Sequence, residues 1–288
     1  ADGTLKWSFE KAGSMKSAAP AVSKDGSVVY VGDNAGNIYA LDAASGSQKW
    51  TAALGSSVAA MLVNGNELVA GSTAGVVNFY NTADGSVIKT LNFGASASDV
   101  VGFAVGNDKR TVYFSLKKSM GSFDLETKEI LVQNLAVAGD NCWEPVVAPN
   151  GNVYVASKDN YVCCLDKDLT KVIWKYQHKD NADGVKNAFN YSHPCVDTES
   201  RLYITSGQSG NVSYIFNPDG TVKDSWTYGS TNPQKQMGGN NFIDGILFSA
   251  FVGAGSENGA FYGKYVGGER ASSWSSHGGD ICGSCCVK

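Results

Sequence analysis

The chain has 288 residues, of which 43% are hydrophobic and 17% charged, with a formal net charge of -4. It is long enough to bury a substantial core. Its 23 Lys and Arg residues never gather into a run, which argues against a phosphate-binding surface and so against nucleic acid as a partner. No apolar stretch nears the roughly 20 residues of a membrane-spanning helix, so no transmembrane segment is expected.

Taken in chain order, the first informative stretch is YALDAASGSQKW, from Tyr39 to Trp50. Its apolar-Asp/Asn step at Leu41-Asp42 returns at Tyr80-Asn81, Phe123-Asp124, Leu165-Asp166 and Phe216-Asn217, at intervals of 39, 43, 42 and 51 residues. A period of about 40–45 residues is that of a four-stranded propeller blade. The unit from Pro20 to Trp50 shows why. Turn signals at Asp25-Gly26, at Asn34 to Gly36 and at Ala44 to Gly46 separate four short runs, and Gly accepts the positive φ that such hairpins need. Apolar residues on both faces of the Val28–Tyr30 run suit a strand packed between two neighbours.

The fourth unit repeats the first almost position for position. From Pro145, the steps to Tyr154, Leu165 and Trp174 are 9, 20 and 29 residues, against 10, 21 and 30 from Pro20 to Tyr30, Leu41 and Trp50. The fifth keeps Pro194, Tyr203, Phe216-Asn217, Gly220 and Trp226, with a longer last hairpin. Units two and three lack the Trp but keep the turns. After Gly238 a degenerate sixth unit reads FIDGILFSAFVG, GAFYGKYVGG and ERASSW. The expected fold is therefore an all-β propeller in one domain, 1–288, with six blades over 18–50, 57–91, 98–135, 141–177, 188–229 and 238–274. Trp7, in the same Lys-Trp context as Trp50, makes 1–10 the expected closing strand, so that N- and C-terminal segments share the last blade; Trp274 competes for that role.

The pattern PAVxxDGxVYVG followed by YALDAxxGxxxW resembles the pyrroloquinoline quinone-type propeller repeat, closely in units one and four. That resemblance implies a β-propeller fold. It also implies kinship with short propellers that bind no quinone, among them an outer-membrane assembly scaffold and exported or surface proteins of bacteria. The chain is too short for the eight-bladed quinoprotein dehydrogenases, and no cofactor is expected. Export to the periplasm or cell surface is implied by the resemblance alone, since no signal-peptide pattern stands at the start.

No nucleophile elbow, zinc-protease helix, P-loop or acidic calcium loop occurs, and no metal site is expected. The residues entering the first strand of each unit are uneven. Unit four offers Asn141, Trp143 and Glu144, unit five Asn190, Tyr191 and His193, and unit six Asn240 and Asn241, where units one and two offer mainly Ser and Ala. Amides and aromatic faces on a concave mouth suit a polar ligand such as a sugar. The competing reading is that the aromatics pack between blades and the Asn residues cap turns. Function thus reads as a non-enzymatic binding or scaffold module, a monomer or a domain of a larger chain, recognising protein or glycan through one face. The alternative is a channel-mouth enzyme, a quinone-dependent oxidoreductase or a saccharide hydrolase or lyase, with Glu144, His193 and Tyr191 as acid-base groups.

Seven cysteines complete the picture. Cys163 and Cys164 align with Tyr39 and Ala40 inside a strand and read as buried small hydrophobes, with a vicinal disulfide as the resemblance-based alternative. Cys282, Cys285 and Cys286 read as a structural or unpaired tail, as disulfides, or as metal ligands with His277.

Overall fold

A computed structural model describes residues 3–10, 13–15, 19–94, 100–137, 142–178, 189, 194–205, 212–227, 235–236, 240–243, 245–252 and 260–267. Trp274, His277 and the cysteines of the tail lie outside them. The described chain is all-β and forms six four-stranded antiparallel sheets, a β-propeller. Blade one is β1 (Ala21–Val22), β2 (Val28–Gly32), β3 (Asn37–Asp42) and β4 (Gln48–Ala53). Blade two is β5 (Val58–Asn64), β6 (Glu67–Ser72), β7 (Val76–Asn81) and β8 (Val87–Asn92). Blade three is β9 (Val100–Val105), β10 (Thr111–Leu116), β11 (Ser119–Asp124) and β12 (Ile130–Ala136). Blade four is β13 (Val146–Val147), β14 (Val153–Ala156), β15 (Tyr161–Leu165) and β16 (Val172–Gln177). Blade five is β17 (Cys195–Val196), β18 (Leu202–Thr205), β19 (Val212–Phe216) and β20 (Val222–Thr227).

Each of these blades is a meander, so its first and third turns lie at one end of the strands and its second turn, with the exit to the next blade, at the other. The first strands neighbour one another in the order β1, β5, β9, β13, β17. Blade six differs. β21 (Lys235–Gln236) and β22 (Asn241–Ile243) share one edge of β23 (Ile246–Val252), and β24 (Ala260–Tyr265) takes the other.

The recurring Asp/Asn is the hinge of the third turn. In blade one the Asp42 carboxylate accepts the backbone N–H groups of Ala44 and Ser45, and the Gly46 N–H returns to the Asp42 carbonyl. Asn81, Asp124 and Asp166 brace the corresponding turns in the same way. These bonds, chiefly from Ser45, hold the Asp42 carboxyl below its ordinary range.

What joins blade to blade is tryptophan on glycine. The Trp50 indole donates to the Thr82 carbonyl at 2.8 Å, and its ring covers Gly85, where a Cβ would lie 2.6 Å from Cε3. Trp174 donates to Pro218 at 2.9 Å and covers Gly220. Within its own blade each indole meets a tyrosine of the second strand at 5.7 Å, Tyr30 or Tyr154. Trp7 repeats the contact on Gly46, donating to Ala43 at 3.0 Å, so residues 3–10 meet blade one as an outer strand would. They carry no strand ladder, however; their burial is on the side of Trp7 and Phe9, the latter edge-on to Tyr39.

Where the Trp is missing, the glycine is missing too. Lys89 and Val132 stand where Trp50 does, and Lys128 and Leu169 hold the positive-φ place at 56° and 50°. Lys128 fills the gap by lying over Phe79 and pairing with Glu67 at 3.0 Å; Leu169 fills its own by being buried. Trp226 departs from the sequence expectation. The last turn of blade five is one residue shorter than that of blade four, not longer, so Asp224 takes the position of Trp174. Trp226 faces Ser213 two residues on and lies against Lys264, whose Nζ is 3.8 Å from the ring.

Cys164 opposes Tyr154 as Ala40 opposes Tyr30, and Cys142, Cys163, Cys164 and Cys195 are buried. Burial pushes both Cys163 and Cys164 up to about 12. Two outcomes are expected. Trp50→Ala costs about 3–5 kcal/mol of folding free energy, Gly85→Ala at least the ~1–2 kcal/mol of a left-handed backbone, and the double variant less than the sum, as urea unfolding will show. At the vicinal pair, a thiol whose folded pKa lies above the unfolded ~8.5 adds stability that is full below that pH and is lost as pH rises toward the folded value. Iodoacetamide at pH 8 therefore leaves Cys163 and Cys164 unmodified by mass spectrometry, and the loss of stability between pH 9 and 11 shrinks in Cys163→Ala and Cys164→Ala.

Candidate functional site

Of the sequence-derived candidates that the structure describes, Trp143 and Glu144 precede β13 and Asn240 precedes β22, at the end of the strands opposite the Asp-braced turns. Asn141, Asn190, Tyr191 and His193 lie outside the described residues. Asn241 opens β22 opposite Phe248. Trp143, Glu144 and Asn240 can be placed in full.

Trp143 and Glu144 are half-buried and lead into β13. The segment is pinned on both sides: the Cys142 N–H donates to Lys117 of blade three at 2.7 Å, and the Trp143 N–H to Ala156 of blade four at 2.8 Å. Glu144 lies across the inner strand of the preceding blade, where a Cβ on Gly102 would come 1.9 Å from its Cγ. Only a glycine in β9 leaves room for that side chain. In the repeat, Glu144 and Trp143 stand where blade one has Ala19 and Ala18, just before the shared proline.

Asn240 is buried at the seam of blades five and six. Its Oδ1 accepts the Thr205 hydroxyl at 3.0 Å, and that hydroxyl also shares a 2.7 Å contact with Ser213 Oγ. Its role in the described structure is to tie β18 to the entry of β22. Nothing local in the chain marks Thr205 or Ser213, whose residue types are ordinary in a strand. Only alignment of the blades shows that Thr205 sits where blades one and two have Gly32 and Gly71, under the chain crossing to the next blade.

A second polar group lies at the exit of β16. His178 is buried, its N–H donating to Asn160 at 2.9 Å and its Nδ1 sharing a 2.6 Å contact with the Tyr214 hydroxyl. Phe189 stands edge-on to the imidazole at 5.9 Å. Burial, with Tyr176 alongside, pushes the Tyr214 hydroxyl well above the ordinary phenol range. These groups fasten blade four to blade five. Among the described residues no three His, Cys, Asp or Glu side chains converge as a metal site. What this end offers a ligand is an aromatic edge beside a carboxylate, Trp143 and Glu144, on a segment clamped between two blades.

Fold and repeat together define a PQQ-like β-propeller. The family model described as outer membrane protein assembly factor BamB matches residues 1–176, and the chain belongs to that family. Similar solved structures include BamB from Moraxella catarrhalis, with a TM-score of 0.49 at 14% identity and 81% of each chain covered. The computationally designed Ika8 protein is similar at a TM-score of 0.63 and 16% identity, over 85% of this chain and 70% of that one. A chain of a mitotic checkpoint complex is similar at 0.65 and 16%, over 85% and 74%. Identities this low show the fold alone. No curated protein sequence matches the chain.

The Thr205–Asn240 bond is testable on its own. Thr205→Val keeps the shape of the side chain and strands the buried Asn240 carbonyl, which costs about 1–3 kcal/mol in urea unfolding. Thr205→Ser restores most of it.

Proposed function

We propose that this propeller is a non-enzymatic binding or scaffold module of an exported bacterial protein, periplasmic or at the cell surface, that holds a protein or glycan partner on the end of the ring bearing Trp143 and Glu144. The observation that carries the reading is membership of a family whose model is named for an assembly factor, a role of holding components together. The site supports it in kind: blades one and two enter their first strands with Ser and Ala, whereas blade four presents an aromatic ring and a carboxylate there. In the proposed site Asn141, Asn190, Tyr191, His193, Asn240 and Asn241 flank that pair. The whole chain acts as one domain, closed by residues 1–10, and needs no cofactor. No helix among the described residues is long and apolar enough to cross a membrane.

The test is a pull-down from periplasmic extract together with glycan-array screening, on wild type, Trp143→Ala and Tyr191→Ala. An aromatic anchor in the contact is worth roughly 1–3 kcal/mol, so affinity falls about tenfold or more on truncation. Melting curves are the control. Trp143→Ala that melts lower yet binds as wild type would show the ring to be interblade packing and remove this face from the reading.

A further inference from the structure

The outer strands carry a pattern that the binding reading does not use. At the start of the outer strand in blades one to five lies a bulge, and the bulged residue faces solvent. In blades two, three and four it is Ile88, Leu131 and Ile173, exposed by 47%, 52% and 44%. In blades one and five it is Lys49 and Lys223, and in the segment that meets blade one as an outer strand Lys6 precedes Trp7 as Lys49 precedes Trp50. In this register half of the rim, blades two to four, is therefore apolar and blades one and five are basic, with Leu5 beside Lys6 and Val222 beside Lys223 also exposed, at 80% and 41%. Val87, at 53%, extends the apolar half.

In the middle of that apolar arc, between blades three and four, opens a cleft of about 240 Å³. It exists because Val132 stands where blades one and four carry an indole. The carbonyl equivalent to the indole acceptors Thr82 and Pro218 is that of Lys167, and here the Tyr113 hydroxyl donates to it at 2.6 Å. Leu131, Val132 and Tyr113 make the floor; Asp108 and Asp168 stand on the rim. The rim's cation, Lys167, is held by Asp168 at 2.8 Å. Burial, and after it the carboxylates of Asp108, Asp168 and Asp166, push the Tyr113 hydroxyl up, and the lining carries two carboxylates, Asp108 and Asp168, against one cation, Lys167.

We infer that this rim is a docking surface for a polypeptide segment that places one large apolar side chain, aromatic or branched, in the blade three–four cleft with a Lys or Arg beside it. The cleft is smaller than the ~300 Å³ at which small-molecule pockets begin, which suits a single side chain rather than a cofactor. An aromatic or Arg anchor in a pocket ringed by apolar contacts is the arrangement on which protein interfaces concentrate their affinity. The negative rim selects the cation, while the lysines across the ring disfavour the same segment there. The surface lies at the turn end opposite Trp143, so it is a second site, independent of the proposed one.

Fluorescein-labelled nine-residue Gly/Ser peptides with a central Trp-Arg, Trp-Glu or Ala-Arg pair are the probes, titrated by anisotropy against the full chain. The Trp-Arg peptide is expected to bind at least about tenfold more tightly than the other two. Leu131→Glu should lose that binding by about tenfold or more with an unchanged circular dichroism spectrum, Asp168→Ser should weaken it and reduce its salt dependence, and Lys223→Glu and Trp143→Ala should leave it intact. Equal binding of the three peptides, no saturable binding of Trp-Arg, or binding that survives Leu131→Glu would overturn the assignment. So would flotation of the protein with phosphatidylcholine vesicles, lost in Leu131→Glu, when the Trp-Arg peptide is ignored, since that would give the rim to lipid.

Discussion

The propeller depends on one contact made between blades: an indole laid flat on a glycine of the next blade's turn. No strand ladder joins one described blade to the next, and the backbone bonds that do cross, from the Val58 N–H to the Asp33 carbonyl and from the Cys142 N–H to that of Lys117, lie at the blade entries, so at the third turns the seam is set by side chains. The Trp50–Gly85 and Trp174–Gly220 pairs fix distance and orientation at once, because the ring touches the bare Cα and the indole N–H donates to a carbonyl of the same turn. The chain also shows that ring and glycine are one unit. When the outer strand carries Lys89 or Val132, the turn carries Lys128 or Leu169, and the larger turn residue restores the volume the smaller strand residue gives up. Strand residue and turn residue thus change together, and at the seam of blades three and four the exchange still leaves a cleft.

This explains how much of the fold could be read from the chain alone. The repeat is visible because two requirements are strict in residue type: a side-chain acceptor at the third turn, met by Asp42, Asn81, Asp124 and Asp166, and a positive-φ residue soon after it; Asn217 keeps the place but donates its amide to Thr221 Oγ1, and Asp219 is the acceptor of that turn. Tyr30, Tyr154 and Tyr203 mark the second strand for a similar reason, since each is fully buried and fills the space beside the outer strand. Blade six was the least legible. Its middle strand pairs with two short segments on one edge, and no periodic signal announces a strand broken in two. The position of Trp226 was misplaced because a turn one residue shorter moves every later side chain relative to its partner strand, which counting from a motif does not detect.

The candidate site was legible only as composition. Sequence marks Trp143, Glu144 and Asn240 alike, as polar or aromatic residues before a first strand. The structure separates them: Glu144 is accommodated by Gly102 and reaches the inner ring, whereas Asn240 is consumed by Thr205. The difference lies in partners more than thirty residues away in sequence, and nothing local to either residue carries it. The contact of His178 with the Tyr214 hydroxyl is hidden for the same reason.

A repeat fold puts its specialised surfaces where the repeat is broken. Positions that stack blade on blade are constrained from both sides, so a residue there that departs from the pattern must be compensated, as Lys128 and Leu169 are, or must leave an opening. Val132 does both, since Leu169 restores the buried volume while a cleft remains open on the outside, floored by Leu131 and rimmed by carboxylates. At the other end of the strands Glu144 breaks the run of small residues made by Ala19, Ala60 and Gly102 on the inner strands, and Gly102 is what permits it. Both departures fall at the same pair of blades, three and four, one at each end of their strands. If the two proposed surfaces both hold partners, those partners are fixed relative to each other by the packed seam of blades three and four and not by a linker, which is the geometry of a connector.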